Sequence, residues 1–314
     1  MLTRKHKTIK PRHLRESSTV GVVTPSEPVT PEMFEQGLDY MCSLGLTPKL
    51  GAHVFDNKGH LAGTDADRAS DIMTMFTDEA VDAIFCSAGG ANSARLLPLL
   101  DYDAIKSHPK IFIGMSDPTA LLCGIYAKTG LVTFHGPVVQ YDMSWHCSPF
   151  TEKYFRPALF DARPGGIIPE VTEANILRLG TASGRLVGGN LSTLQQLIGT
   201  PYEPDWEGAI LFWEDVCEQP HTLDAKLTHL RNAGVFDRLA GMIVGVLEEC
   251  VESDYENVLP IREIVLELTE GARFPILHEV PLGHTKDKIT LPIGANASIG
   301  ASGTVLSIEE SGVA

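Results

Sequence analysis

The first half of the chain alternates short apolar runs with longer stretches in which apolar residues recur at helical spacing. "STVGVVTPS" opens it as a buried strand ending in a turn. "TPEMFEQGLDYMCSLGL" follows as a helix with Thr30 as N-cap, Pro31 in the first position and Gly45 as its stop. "TPKLG" is a weak second strand, "DADRASDIMTMFTDEA" a second helix, and "VDAIFCSAGG" a third strand ending in glycines. One or two short helices in "SARLLPLLDYDAI", a fourth strand in "KIFIG", a helix in "SDPTALLCGIYAKTG" and a fifth strand in "LVTFHG" continue the alternation. That order predicts an α/β fold built on a mostly parallel sheet, covered by helices and connected by right-handed crossovers.

From about Tyr141 to Glu173 the periodicity lapses into "YDMSWHCSPFTEKYFRPALFDARPGGIIPEVTE". Aromatics, prolines and a Gly-Gly pair there predict an inter-domain connection with one helix around "TEKYFRPAL". The second half is richer in strands: "GRLVGGN", "AILFWED", "MIVGVLEE", "PILHEV", "KITLPIG" and "TVLSIEE". Helices are expected between them in "NLSTLQQLIGT", "TLDAKLTHLRNAG" and "ENVLPIREIVLELTEG". A chain of 314 residues exceeds what one core usually serves. Residues 1–150 are therefore expected to form one domain, 151–175 a linker and 176–314 a second domain.

Composition narrows the class. Hydrophobic residues are 43% and charged residues 21%, ordinary for a globular protein. The net charge of −15 argues against a nucleic-acid polymer as partner, because neutralising phosphates needs clustered cations. The one basic stretch, "RKHKTIKPRHLR", is expected to be a solvated lead-in. It lacks the apolar centre of a signal peptide, and no apolar run reaches the ~20 residues of a membrane span. These features point to a cytoplasmic protein without a membrane partner. Six scattered cysteines without CxxC spacing read as free thiols, and eleven histidines without HExxH predict no metal and no cofactor.

The candidate chemistry begins at Ser116. Three apolar residues, Ile111 to Ile113, run into Gly114, and a helix is expected to start at Asp117 or Pro118. Ser116 thus sits at a strand-to-helix turn, where open α/β sheets bind ligands and a helix N-terminus offers unpaired N–H groups. It reads either as a nucleophile or, with Asp117, as a helix cap. Gly114-Met115-Ser116-Asp117-Pro118 departs from the G-x-S-x-G elbow, having proline in place of the second glycine. A serine nucleophile needs a base and the base an orienting carboxylate. "ILFWEDVCE" ends an apolar strand in Glu214 and Asp215, and "PLGHT" puts His284 in a turn; each taken singly reads as plain surface. Gly89 and Gly90 follow a buried strand, where a backbone can approach a ligand, with neither a dinucleotide fingerprint nor a P-loop.

"SAGGANSARLLPLLDYDAIKSHPKIFIGMSDPTALL", "GRLVGGNLSTLQQLIGT", "ILFWEDVCEQPHTLDAKLTHLRNAG" and "PLGHT", in that order, resemble the LD-carboxypeptidase family of serine peptidases across nearly the whole chain. The resemblance implies a flavodoxin-like N-terminal domain, a β-rich C-terminal domain and a cleft between them. It implies a Ser-Glu-His triad of Ser116, Glu214 and His284, and an oxyanion hole of the Gly90 and Asp117 backbone N–H groups. Asp215 is then a neighbouring structural carboxylate. Gly89, Asn190 of the "GGN" and Trp145, which could stack on a base, are substrate-binding candidates. Dimers are common in the family, so a homodimer is expected.

Within the family the "GGANS" turn looks like the microcin C self-immunity branch, where murein-recycling members have an R-G-G-Y-G type turn. The expected function is hydrolysis of an amide near the C-terminal end of a small peptide or a peptidyl- or aminoacyl-nucleotide. Two alternatives stay open: release of D-alanine from murein tetrapeptides, and non-catalytic binding of a small ligand.

Overall fold

The computed structural model describes residues 7–250, 259–300 and 304–314. Five strands of the first half, β1 (Thr19–Val23), β2 (Thr47–Leu50), β3 (Ala83–Cys86), β4 (Ile111–Gly114) and β5 (Thr133–His135), pair in parallel in the order 2-1-3-4-5. That is the flavodoxin-like order, with its switch point between β1 and β3. The intervening helices are α1 (Pro31–Ser43), α2 (Asp65–Thr77), the short α3 (Tyr102–Ser107) and α4 (Thr119–Thr129). α1 starts as the sequence predicts, with Pro31 in its first turn and Thr30 in the cap position.

β3 and β4 are buried throughout, as unbroken apolar runs in a parallel sheet require. Their alternate residues serve two cores. Ile84 and Phe112 face α2, where Phe76 stacks on Phe112 at 5.8 Å. Phe85, Ile111 and Ile113 face the opposite side, where Phe155 meets Phe85 edge-on at 6.1 Å. Phe155 belongs to α5 (Pro149–Phe160), the helix expected inside the connection. It starts two residues early because Ser148 caps it and Pro149 takes the first position.

The second sheet contains β6 (Gly166–Ile167), β7 (Ile176–Arg178), β8 (Ala182–Asn190), β9 (Ala209–Glu214), β10 (Leu239–Gly245), β11 (Ile276–Val280), β13 (Asn296–Ile299) and β14 (Leu306–Ile308). Its centre, β8-β9-β10-β11, is parallel, and the flanking strands are antiparallel. β12 (Leu291–Ile293) leaves this half and pairs antiparallel with β5 at the edge of the first sheet. The helix expected in "NLSTLQQLIGT" shortens to α6 (Leu191–Leu194) and a 3₁₀ turn, whereas α7 (Pro220–Asn232) is full length. α8 (Ile261–Leu268) begins after Pro260; the first residues of the helix expected from Glu256, through Val258, lie outside the described residues.

The basic N-terminal stretch is corrected from residue 7 onward, residues 4–6 lying outside the described residues. It is docked rather than solvated: Ile9 bridges Leu131 and Leu14 is fully buried, because these apolar residues gain more against the first domain than in water. Among the described residues no helix is long and apolar enough to cross a membrane, and all six cysteines are free.

Candidate active site

β4 ends at Gly114 and the chain must turn sharply to enter α4. Ser116 makes that turn at φ +68°, a left-handed conformation that costs a non-glycine residue roughly 1–3 kcal/mol. The turn therefore has the strain of a nucleophile elbow without its second glycine. α4 begins at Thr119, later than expected, because Pro118 occupies the cap position with no side-chain cap bond. The reading of Ser116 or Asp117 as the helix cap is thereby corrected. Asp117 turns its buried carboxylate away from the helix: Oδ2 accepts from Ser26 Oγ at 2.6 Å and Ser93 N at 2.8 Å. Ser93 Oγ also donates to the Asp117 carbonyl at 2.7 Å. Three turns, after β1, β3 and β4, are thus tied to one carboxylate.

The glycine turn after β3 lies against the serine. A Cβ at Gly89 would sit 2.7 Å from Ser116 Cβ and 2.8 Å from its Oγ, so only glycine leaves the hydroxyl this position. The Gly89 carbonyl accepts from Glu27 N at 3.2 Å. Glu27 in turn accepts from Tyr141 Oη at 2.8 Å, and the Tyr141 ring lies 6.2 Å from that of Trp145. Trp145 is 70% exposed, so it forms part of the rim beside this turn. Tyr141 and Asp142 belong to a π-helical turn, Val139–Met143, in the segment whose periodicity lapses.

In the second sheet β8 and β9 end side by side, with Asn190 in register with Glu214. Glu214 is completely buried, and its Oε2 lies 2.6 Å from His284 Nδ1. Gly283, at φ +94°, permits this contact, since a Cβ there would stand 2.4 Å from the same oxygen. On the other side, Glu214 Oε1 is 3.8 Å from Nε2 of the buried His135, at the end of β5. Burial alone would raise the Glu214 pKa; the electrostatic contact with His135 and the hydrogen bond and charge of His284 outweigh it and hold the carboxyl well below its usual range. For His284, burial acts downward, but the Glu214 hydrogen bond and charge win and raise its pKa above the ordinary 6.5. Beyond it, the paired Lys288 and Asp142 act in opposite directions.

Asn190 is bonded within the protein through both its side-chain amide atoms. Its Nδ2 donates to Asp215 Oδ1 at 2.9 Å and its Oδ1 caps α6 through Thr193 N at 3.1 Å. Asp215 also accepts from Ser192 N and Oγ, at 3.0 and 2.7 Å. It therefore braces the end of β9 while Glu214 faces the histidines. Asn190 N donates to Thr119 Oγ1 at 3.0 Å, seating the end of β8 on the first turn of α4. This contact and the His135–Glu214 contact bring the Ser116 end of the first sheet against the Glu214–His284 end of the second. Among the described residues one group of possible metal ligands occurs, His53, Asp56 and Asp67, half-buried after β2 and bonded internally through His53 Nδ1 and Asp56 at 2.9 Å.

Sequence reasoning missed His135, Ser26, Ser93, Thr119 and Lys288. A histidine closing a buried strand in "LVTFHG" was the one visible signal. The others are ordinary residues given work by their neighbours.

The chain matches the LD-carboxypeptidase N-terminal domain over residues 20–136 and the LD-carboxypeptidase C-terminal domain over residues 183–299. It is 36% identical to the probable murein peptide carboxypeptidase of Bacillus subtilis (strain 168), over 96% of this chain and 94% of that protein. It is 31% identical to the microcin C7 self-immunity protein MccF of Escherichia coli, over 95% and 94%. The solved structure of MccF with aspartyl sulfamoyl adenosine superposes with a TM-score of 0.86 at 29% identity, covering 98% of this chain and 100% of that one. Both domain matches fall in family order along the chain, which belongs to the LD-carboxypeptidase family of serine peptidases.

Proposed function

We propose that Ser116, His284 and Glu214 form the catalytic triad of this serine carboxypeptidase. The observation that carries the reading is the 2.6 Å bond between His284 Nδ1 and the buried Glu214. It commits Nδ1, so the neutral tautomer presents Nε2 as acceptor to the Ser116 hydroxyl. Ser116 Oγ attacks the amide carbonyl carbon and its proton passes to Nε2. The oxyanion is met by the N–H groups of Gly90 and Asp117. Collapse breaks the C–N bond, and the amine leaves with the proton from His284. Water then hydrolyses the acyl-enzyme by the same route in reverse.

Nucleophile and acid–base residues come from separate units, 1–150 and 176–314, joined through 151–175. We assign the substrate as a small aminoacyl- or peptidyl-nucleotide carrying the scissile amide. The exposed Trp145 beside the glycine turn supports a base-stacking contact, with Gly89 and Asn190 shaping the floor. Release of D-alanine from a murein tetrapeptide is the second reading, favoured by the 36% identity to a probable murein peptide carboxypeptidase. We further propose a cytoplasmic homodimer, for which light scattering is the direct measurement.

The deciding experiment gives wild type and Ser116→Ala both aspartyl sulfamoyl adenosine and a murein tetrapeptide. Loss of turnover in the variant by about a thousandfold or more is expected, the scale seen when a triad member is removed. The nucleoside sulfamate or D-alanine released by wild type identifies the substrate class. Full activity of Ser116→Ala would reject the triad.

A further inference from the structure

The buried histidine at the end of β5 is absent from the proposed catalytic steps. His135 is 1% exposed, and neither ring nitrogen has a hydrogen-bond partner among the described residues. Burying a ring nitrogen unpaired is costly, so a position that carries two calls for a reason. Its Nε2 points at Oε1 of Glu214, the oxygen His284 leaves unused, at 3.8 Å. At that length the contact is electrostatic rather than a formed hydrogen bond. The Phe212 ring packs edge-on against the imidazole at 5.5 Å and limits where it can turn. In the sheet, His135 is in register with Gly114, two residues before Ser116.

We infer that His135 is a positioning residue: from the serine-bearing domain it holds the free oxygen of Glu214, and so sets the His284 imidazole against Ser116 across the domain boundary. This rests on the triad reading above. Glu214 is buried between two imidazoles, and a carboxylate held on one side only could rotate about its last torsion and carry His284 with it. An N–H of His135 directed at Oε1 also favours the ionised carboxylate that an imidazolium at His284 needs during the reaction. The titratable groups around this carboxylate are His135 on β5, His284 on the loop after β11, and the adjoining Asp215. Lys288 and Asp142 stand beyond His284.

The test compares wild type, His135→Leu, His135→Asn and His135→Gln on whichever of the two substrates wild type turns over, with kcat and KM measured across pH. Leu removes the donor, Asn is too short to reach Glu214, and Gln restores an N–H at similar reach. For Leu and Asn, kcat is expected to fall by about tenfold to a hundredfold with KM little changed, the scale of one buried polar contact to a charged group. Losing a partner that favours the carboxylate raises the proton affinity of the Glu214–His284 pair, so the acid limb of kcat/KM moves to higher pH. Gln recovers most of both. Wild-type kcat and an unmoved acid limb in Asn or Leu would overturn the inference. So would equal losses in all three variants with the limb unmoved, the mark of a packing role. If Leu does not fold, Asn against Gln decides. Ser116→Ala, run in parallel, separates the outcomes: an inactive Ser116→Ala with unaffected His135 variants rejects the positioning role alone, and an active one rejects the triad on which it stands.

Discussion

Ser116 holds a strained backbone while a glycine lies against its side chain, and the two features depend on each other. A methyl group at Gly89 would push the hydroxyl aside, since its Cβ would come within 2.8 Å of Oγ. Gly89→Ala is therefore expected to lower kcat by about a hundredfold, the cost of misplacing a reacting atom by an ångström. The melting temperature should also fall, because the nearest clash, 2.7 Å, is with Ser116 Cβ and only a backbone shift relieves it; equal kcat in the two proteins would contradict the prediction. The raised pKa of His284 makes a second prediction. The base must be neutral to accept the serine proton, so kcat/KM should fall on the acid side through a limb centred above 6.5. The stability contribution has the opposite sign. A raised folded pKa stabilises fully below the unfolded value and loses that effect as pH rises through the folded one. Activity should thus rise over the interval where this contribution fades, and pH-rate and pH-denaturation series on one preparation test both.

At the scale of elements, the C-terminal ends of β4, β8 and β9 are buried and also tied by hydrogen bonds from turns. Asn190 caps α6, steadies Asp215 and, through its backbone, meets Thr119 on α4. Asn190→Ala should cost about 1 kcal/mol as a lost cap, with an added loss because Asp215 keeps its burial without that partner. Urea denaturation measures the loss, and an unchanged midpoint would show the cap to be dispensable. The strands and long helices here were legible from sequence because apolar periodicity reports burial directly, as β3, β4 and α1 illustrate. Shortening of the helix at Leu191 was not, since its apolar spacing continues to Leu197, which is buried from a 3₁₀ turn rather than from a longer α-helix. The docking of Ile9 and Leu14 was hidden among the lysines and arginines around them.

At the scale of the whole molecule, one apolar core runs through both sheets. Ile84 and Phe112 of the first sheet share it with Leu186, Leu211 and Trp213 of the second. β12 reinforces the connection by returning from the second half to the edge of the first sheet. An apolar boundary this continuous disfavours independent domain motion. Calorimetry should therefore record one cooperative unfolding transition, and two separated endotherms would refute it.

The order of strands and helices, the alternation that fills the two faces of the first sheet, and the motif residues Ser116, Glu214 and His284 were set by local pattern. Such features need only neighbours in the chain. The pairing of Glu214 with His284, 70 positions apart, was decided by tertiary structure. His135, Thr119, Ser26 and Ser93 acquire their contacts from residues 24 to 91 positions away, such as the Ser93–Asp117, Asn190–Thr119 and Ser26–Asp117 bonds. Register between strands and closure of turns create those contacts, and neither leaves a periodic trace in the sequence.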